Sequence, residues 1–253
     1  MSASRGEKLY EGKAKVLYAT DDPGLVIQYF KDDATAFNGV KKGQILEKGV
    51  VNCHVSSFLF EYLAEKGIES HFVERLSDRE MLVRRVGIVP LEVVVRNVVA
   101  GSLSKRMGLP EGQVLDQTIV ELYYKRDDLG DPMVNEDHAR VFQLATDDEL
   151  AQLRRSALSI NDHLKKFMKE RGILLVDFKL EFGRFEDRLL LADEISADGS
   201  RLWDIETGER LDKDRFRRDL GRVEESYWEV FRRILGEDRR SPITPAVVSE
   251  DQS

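Results

Sequence analysis

The most constraining feature of this chain is a strict alternation of side chains near its C-terminal third. Every second residue from position 174 to position 182 is apolar, and Asp177, Lys179 and Glu181 stand between them. An alternation of period two is typical of a half-buried β-strand, because successive side chains of a strand point to opposite faces. A turn-like sequence, GRFEDR, and a second apolar run, RLLLADE, follow. The pattern predicts a β-hairpin over residues 173–194.

The predicted hairpin concentrates ionisable groups on one face. Glu181 lies on the first strand, and Asp193 ends the second. Carboxylates at strand ends suit Mg²⁺, which takes few protein oxygens and shares the rest with water and phosphates. The alternative is an exposed face with ion pairs across the strands. The metal hypothesis predicts that Glu181 and Asp193 face the same side.

Charge and composition exclude several classes of protein. The 253 residues carry a formal net charge of −8. Sequence-independent binding to nucleic acid or to an anionic membrane surface needs a basic surface, so neither partner is expected. The single cysteine, Cys53, forbids an internal disulfide and suits a reducing compartment. Neither a secretory signal nor an apolar run of about 20 residues is visible. We therefore expect a cytoplasmic protein.

Strand and helix patterns alternate irregularly, which favours an α+β fold over a doubly wound sheet. Strands are predicted on both sides of Gly12, over residues 25–30, 71–74, 81–86 and 91–98, and near residues 118–125. Residues 33–43 are turn-rich, and Pro90 marks a break. The best helix covers residues 147–171, with Thr146 and Glu149 forming a capping box. A last helix is predicted over residues 222–235. We expect two lobes, residues 1–87 and 88–236, and a disordered tail over residues 237–253.

Two further segments are candidates for anion binding. In EGKAK, Lys13 and Lys15 stand two apart beside a glycine that allows close backbone approach to a ligand. This spacing is also common on exposed hairpins. In VVVRNVVAGSLSKRMG, Arg96 interrupts an apolar strand and Ser102 follows in a turn. A buried arginine needs an anionic partner, which could be a bound phosphate or a core carboxylate.

Other charged segments carry weaker signals. DKDRFRRDLG is interpreted mainly as surface charge, although one of its arginines could reach a phosphate. The four histidines show no metal-ligand spacing, and no Ser-His-Asp or Cys-His arrangement can be identified.

Taken together in this order, the segments EGKAK, KDDATAFNG, VVVRNVVAGSLSKRMG, DPMVNE, VDFKLEFG, DE and DGSRLWD resemble the SAICAR synthetase family of purine biosynthesis. The resemblance covers residues 8–236. It implies a kinase-like N-terminal lobe that covers the nucleotide and a larger, ATP-grasp-like lobe. It also implies that ATP and Mg²⁺ are used to join the carboxylate of carboxyaminoimidazole ribonucleotide to the amine of L-aspartate. The family often has proline where Ala197 stands, which concerns the rigidity of that loop.

The resemblance also assigns roles to individual residues. It implies contacts with ATP for Lys13, Lys15, Lys125 and Glu181, and for the strand around Arg84 and Val86, whose backbone meets adenine. It implies metal ligation by Glu181 and Asp193. It implies binding of the ribonucleotide, chiefly of its phosphate, by Arg96, Ser102, Arg201 and Arg217. It places Lys179 and Asp177 beside the reacting groups, with Asp177 as the candidate general base.

A different enzyme could share the kinase-like lobe. A small-molecule kinase would use the hairpin carboxylates and Lys13 but would not need Arg96, Ser102 and Arg201 as one anion site. An acidic, non-enzymatic interaction module would bind no Mg-ATP. Self-association into a homo-oligomer stays open.

Overall fold

The computed structural model describes residues 4–36 and 41–236. The strands are β1 (Lys8–Glu11), β2 (Lys15–Ala19), β3 (Leu25–Phe30), β4 (Asp33–Ala36), β5 (Lys41–Gln44), β6 (Phe72–Arg75), β7 (Glu80–Arg84), β8 (Gly87–Val98), β9 (Val114–Tyr124), β10 (Met133–Val134), β11 (Ile173–Phe185), β12 (Arg188–Ala192) and β13 (Ser200–Asp204). The helices are α1 (Lys48–Ala64), α2 (Gly101–Met107), α3 (Glu136–Val141), α4 (Asp147–Lys169), α5 (Asp214–Arg217) and α6 (Val223–Leu235). The predicted α+β class is confirmed.

The N-terminal strands build one antiparallel sheet in the order β1-β2-β3-β7-β6. The three strands predicted before residue 31 are confirmed, and α1 packs on this sheet. The interpretation of residues 33–43 as turn-rich was wrong in part, because β4 and β5 pair as a small separate hairpin. Their polar composition, DATA and KKGQ, hides the alternation that identifies a strand. The residues between them, including Phe37 of KDDATAFNG, lie outside the described part of the chain.

The second sheet has the order β10-β9-β8-β11-β12, and β13 also pairs with β11. The break predicted at Pro90 was wrong, since β8 runs through it. The register between β8 and β11 shifts between Glu181 and Gly183, opposite the stretch of β8 that contains Pro90. Proline lacks the N–H that a regular ladder requires, so it is tolerated at such an irregularity.

The predicted hairpin is present as β11 and β12, with Glu186 at positive φ (51°) in the turn. The expectation of a half-buried strand was wrong. Phe178 is 1% exposed, but Asp177 and Glu181 on the other face are each only 4% exposed. The strand lies inside its sheet between β8 on one side and β12 and β13 on the other, and α4 packs against it. Asp177 and Glu181 are therefore buried and Lys179 is partly buried, which excludes the exposed-face alternative.

Helix α4 has the predicted capping box, since Thr146 accepts from the backbone N–H of Glu149 and Glu149 accepts from that of Thr146. The first sheet ends with Arg84 and the second begins with Gly87, but one apolar core includes residues of both. The division into lobes at residue 87 stays a prediction, and the tail from residue 237 lies outside the described residues. None of the described helices combines the length and the apolar character needed to cross a membrane.

Candidate active site

Lysines and carboxylates from four strands or strand ends meet at the open end of the β11–β12 hairpin, where Glu181 pairs with Ala192. We call this the lysine–carboxylate cluster; its members are Lys15, Lys125, Lys179, Glu181 and Asp193. Lys179 Nζ lies 2.5 Å from Glu181 Oε1 and 3.7 Å from Asp193 Oδ2. Lys125 Nζ lies 3.0 Å from the same Glu181 oxygen, and Lys15 Nζ donates to Asp193. Glu181 and Asp193 therefore reach one common ammonium group.

The backbone and the local charges hold Asp193 in place. It follows β12 with a φ of 64°, and its carbonyl accepts from Gln28 Nε2 at 3.1 Å. Burial alone would raise the pKa of its carboxyl, but Lys15 and Lys179 outweigh this effect and lower the pKa. For Lys15, burial lowers the pKa, because it disfavours the charged ammonium. The nearby Asp193 and Glu194 raise the pKa by more, so Lys15 stays charged.

One member of this neighbourhood was missed by the sequence analysis. Glu92 Oε1 accepts from Lys179 Nζ at 3.0 Å. It lies on β8 directly opposite Glu181 of β11. A signal was available, because Glu92 interrupts the apolar run LEVVV in the same way as Arg96 does.

A cavity of about 460 Å³ opens beside the lysine–carboxylate cluster. One end is lined by Lys15, Lys125, Glu181 and Asp193, and the rest is largely apolar and includes Val86. Arg84 also borders the cavity, but its guanidinium donates to the carbonyl oxygens of Ser70 (3.1 Å) and Phe72 (3.3 Å). A ligand in this cavity would meet apolar side chains at one end and charges at the other.

A second cluster, the arginine cluster, surrounds Asp177 on β11. Arg96 Nη1 lies 2.8 Å from Asp177 Oδ2, and Arg201 Nη1 lies 2.9 Å from the same oxygen. Arg96 also donates to Glu121 (2.6 Å) and to the hydroxyl of Ser102 (3.0 Å). Of the two alternatives for Arg96, the structure thus contains the core carboxylates. Ser102 and Arg201 still lie near Arg96, since Ser102 accepts from its guanidinium and Arg201 shares Asp177 with it.

Part of the segment after β13 is buried, residues 211–215, so its interpretation as mainly surface charge was wrong there, whereas residues 218–221 are exposed. Asp214 is 1% exposed and accepts from Arg201 Nε at 2.9 Å and from Arg217 Nη1 at 2.6 Å. Arg215 is also buried. The alternating acidic and basic residues look like an exposed segment in the sequence. They can be buried because each buried charge is neutralised by a partner. Arg217 is therefore connected to the arginine cluster through Asp214.

Lys13 lies apart from Lys15. Its Nζ pairs with Asp127 Oδ1 at 2.7 Å, and both side chains are exposed. It borders a second cavity together with Glu11, Thr35 and Lys42. The two lysines of EGKAK therefore contact different partners here.

The carboxylates fit a role in holding Mg²⁺ together with a ligand. Glu181 and Asp193 supply hard oxygen donors at one point, which suits an ion that also takes phosphate and water oxygens. Among the described residues, no group of three or more His, Cys, Asp or Glu side chains is arranged to hold a metal alone. Oxygens from outside the chain, such as those of phosphate or water, would complete the coordination.

Comparison with known proteins assigns the chain to a family. The SAICAR synthetase family model matches residues 8–234. The phosphoribosylaminoimidazole-succinocarboxamide synthase of Magnetococcus marinus is 59% identical over 233 residues, which cover 91% of this chain and 96% of the relative. That of Clostridium botulinum is 55% identical over 228 residues, covering 90% and 97%.

Solved structures agree. The phosphoribosylaminoimidazole-succinocarboxamide synthase of Ehrlichia chaffeensis superposes with a TM-score of 0.89 at 49% identity, covering 91% of this chain and 99% of that one. A SAICAR synthetase in complex with ADP gives 0.88 at 49% identity, covering 91% and 98%. The fold and the sequence point the same way, and this chain belongs to the SAICAR synthetase family, a family of ATP-dependent ligases.

Proposed function

We propose that this chain joins the carboxylate of carboxyaminoimidazole ribonucleotide to the amine of L-aspartate, giving the succinocarboxamide, ADP and phosphate, with Mg²⁺ bound beside ATP. Membership of the family supports this activity. The observation that carries the proposal is the order of side chains along β11. Asp177 belongs to the arginine cluster, while Lys179 and Glu181 belong to the lysine–carboxylate cluster. Strand β11 thus places the arginine cluster beside the lysine–carboxylate cluster. A ligase that acts on two anionic substrates needs two such neighbouring sites.

ATP is assigned to the cavity beside the lysine–carboxylate cluster. Its base would lie against the apolar lining near Val86, and its phosphates would face Lys15 and Lys125. Lys13 would approach the phosphates after leaving Asp127. Glu181 and Asp193 would hold Mg²⁺, which would neutralise charge on the transferring phosphoryl group. The relative solved with ADP supports a nucleotide in this fold.

The ribonucleotide is assigned to the arginine cluster. Arg96, Ser102 and Arg201 would bind its phosphate, and Arg217 would add a further contact. Guanidinium groups suit phosphate because their planar N–H groups match its oxygens. An incoming phosphate would replace part of the negative charge that Asp177 now supplies to Arg96 and Arg201.

Phosphoryl transfer makes the substrate carboxylate reactive. The γ-phosphoryl group passes to a carboxylate oxygen and ADP leaves; the aspartate amine then attacks the acyl carbon, expels phosphate and loses a proton. Lys179 would stabilise the negative charge that develops on the oxygens. Asp177 stays the proposed acceptor of the amine proton, and its two guanidinium partners fix its position.

The finer features of the chain belong to the same proposal. We place the division between a lobe that covers the nucleotide and a larger lobe at residue 87, where the sheets change. The proposed substrates, ATP, a ribonucleotide and aspartate, support a cytoplasmic location, and so does the single buried cysteine. A homo-oligomer stays a prediction, which light scattering of the purified chain would test.

The test is a coupled assay of ADP release by the purified chain with Mg-ATP, carboxyaminoimidazole ribonucleotide and aspartate. We expect release that requires both substrates, with the amide detected by mass spectrometry. Glu181→Ala should nearly abolish turnover while the circular dichroism spectrum is retained. ADP release without aspartate, accompanied by a stable phosphorylated acceptor, would identify a small-molecule kinase instead.

A further inference from the structure

His71 is a buried histidine at the junction of the two sheets. Its backbone N–H donates to the carbonyl of Leu191 at 2.8 Å, and its carbonyl accepts from the N–H of Arg84 at 2.7 Å. Its ring lies edge-on to Phe60, with 5.5 Å between centroids. These contacts from β12, β7 and α1 fix the position of the imidazole.

The imidazole borders the cavity assigned to ATP and is incompletely satisfied. His71 is 4% exposed and lines this cavity together with Val83 and Val86. Its Nε2 has no hydrogen-bond partner within the described residues, 4–36 and 41–236. A buried polar atom without a partner is costly, so such an atom beside a ligand cavity points to a contact with the ligand.

The ring is buried, at 4% exposure, and a buried imidazole is least costly when it is uncharged. A neutral imidazole has one N–H donor and one nitrogen acceptor. The cations of the site, including Lys15, gather at the end of the cavity where the phosphates are assigned. Lys15 and Asp193 also act on the ring, so His71 lies between the charged end of the cavity and its apolar wall at Val83 and Val86. An uncharged donor and acceptor at this position suits a base better than a phosphate.

We propose that His71 hydrogen-bonds the edge of the nucleotide base and favours adenine over guanine. This inference rests on the proposed function, because it assumes a nucleotide in the cavity. Adenine presents an acceptor at N7 and a donor at its 6-amino group, whereas guanine presents acceptors at N7 and O6. An imidazole nitrogen that accepts from the 6-amino group would face the O6 of guanine as a second acceptor, with no proton between them.

The test compares His71→Leu, which removes both ring nitrogens, with His71→Gln, which keeps a donor and an acceptor. Binding of Mg-ATP is measured by calorimetry in the absence of the other substrates, so that ATP is not consumed. We expect His71→Leu to weaken Mg-ATP about tenfold and His71→Gln to restore most of the loss. The preference for ATP over GTP should fall by a similar factor in His71→Leu, while the KM for the ribonucleotide stays within about twofold.

An analogue and a control variant sharpen the comparison. Purine riboside triphosphate lacks the 6-amino group, so wild type should bind it about tenfold more weakly than ATP, and His71→Leu should not distinguish the two. His54→Leu is the control, because His54 is buried at 5% exposure on α1 and does not line this cavity. It should leave the affinity for ATP unchanged.

Two results would overturn the proposal. Unchanged nucleotide preference in His71→Leu would show that the ring does not contact the base. Equal losses in the Leu and Gln variants would show a packing role only. Failure of the proposed function would give a different result. In that case the wild-type chain would release no aspartate-dependent ADP, whatever its affinity for ATP.

Discussion

At the scale of single residues, Lys179 is the most constrained group in the site. Its ammonium lies 3.0 Å from Glu92 and 2.5 Å from Glu181, with Asp193 at 3.7 Å. Burial lowers the pKa of Lys179, but the three carboxylates raise it by more than burial lowers it. The net effect is a pKa well above the ordinary value. If Mg²⁺ takes Glu181 and Asp193, Glu92 remains to hold Lys179 in position.

Lys179→Met should lower kcat by about 30- to 1,000-fold, since one charge-assisted contact made mainly in the transition state contributes about 2–4 kcal/mol. Methionine keeps much of the length and removes the charge. The affinity for Mg-ATP should change much less than kcat. Steady-state kinetics and ATP titration of the purified variant measure both, and Lys165→Met on the exposed side of α4 serves as control. A collapse of ATP binding with normal aspartate dependence would move Lys179 to the nucleotide site.

At the scale of elements, one glycine lets β11 pass the connection between the two sheets. A Cβ on Gly183 would overlap Cβ and Cγ2 of Val86. Val86 stands between β7 and β8 and lines the cavity beside the lysine–carboxylate cluster. The absence of a side chain at Gly183 therefore sets where the cavity wall lies.

Gly183→Ala should push Val86 into the cavity and weaken Mg-ATP about 5- to 50-fold, with a loss of stability of about 1–3 kcal/mol from overpacking. The matched control is Gly183→Ala combined with Val86→Ala, which frees the space that the new methyl group needs. ATP titration and urea unfolding of both variants measure the effect. A single variant with normal ATP affinity would show that the backbone absorbs the change.

A carboxylate connects α2 to the segment around α5. Glu111 accepts from the backbone N–H of Gly101 at 3.0 Å, from Arg210 at 2.9 Å and from Arg218 at 2.6 Å. Hydrogen bonding to Arg218 is the main cause that lowers the pKa of Glu111 to about 2. The carboxylate thereby joins the turn before Ser102 to the chain that carries Arg217.

Glu111→Gln should lower the free energy of unfolding at pH 7 by about 1–3 kcal/mol. The pKa of this carboxyl is lower in the folded than in the unfolded chain, so its stabilisation is complete above about pH 4.5 and is lost as the pH falls towards 2. The difference between wild type and variant should therefore shrink on acidification. Urea unfolding at pH 7, 4 and 3 measures it; a constant difference would mean that the charge contributes nothing.

At the scale of the whole molecule, a fully buried ion pair connects distant parts of the chain. Lys48, at the start of α1, is 0% exposed, and its Nζ lies 2.9 Å from Asp198 Oδ2. Asp198 also accepts from the hydroxyl of Tyr227 on α6 at 2.6 Å. Burial raises the pKa of Asp198, but Lys48 and Lys213 lower it more strongly, so it is ionised. The pair joins α1, α6 and the loop that follows Asp193.

Lys48→Met should cost about 3–5 kcal/mol of stability, because it leaves the buried carboxylate of Asp198 without its closest cation. Lys48→Met combined with Asp198→Asn should recover part of this loss, since the carboxylate that lost Lys48 is then neutral, while Lys213, 3.3 Å from Asp198, loses its partner in the same variant. Thermal and urea unfolding of wild type, both single variants and the double variant measure the coupling. Additive losses would indicate that the two side chains do not stabilise one another.

The sequence alone determined the elements whose patterns are local. Alternation identified β11, an apolar run after a turn-like sequence identified β12, and the 3.6-residue period with its capping box identified α4, because such patterns follow from backbone geometry within a few residues. The joint order of short motifs identified the family. Local patterns gave wrong predictions where tertiary contacts decide the structure. The polar segments of β4 and β5 were predicted as turns, and a break was predicted at Pro90 although β8 continues through it.

Only the tertiary structure decided which charges meet. The chain positions of Arg96, Asp177 and Arg201 differ by up to 105 residues, and sequence gave no reason to prefer mutual pairing over ligand binding. Glu92, Glu121 and Asp214 were missed because a buried carboxylate looks like an exposed one until its cation is known. The energy of a buried charge depends on a partner brought by another strand, and that distance is fixed by the sheet register, which the sequence does not state.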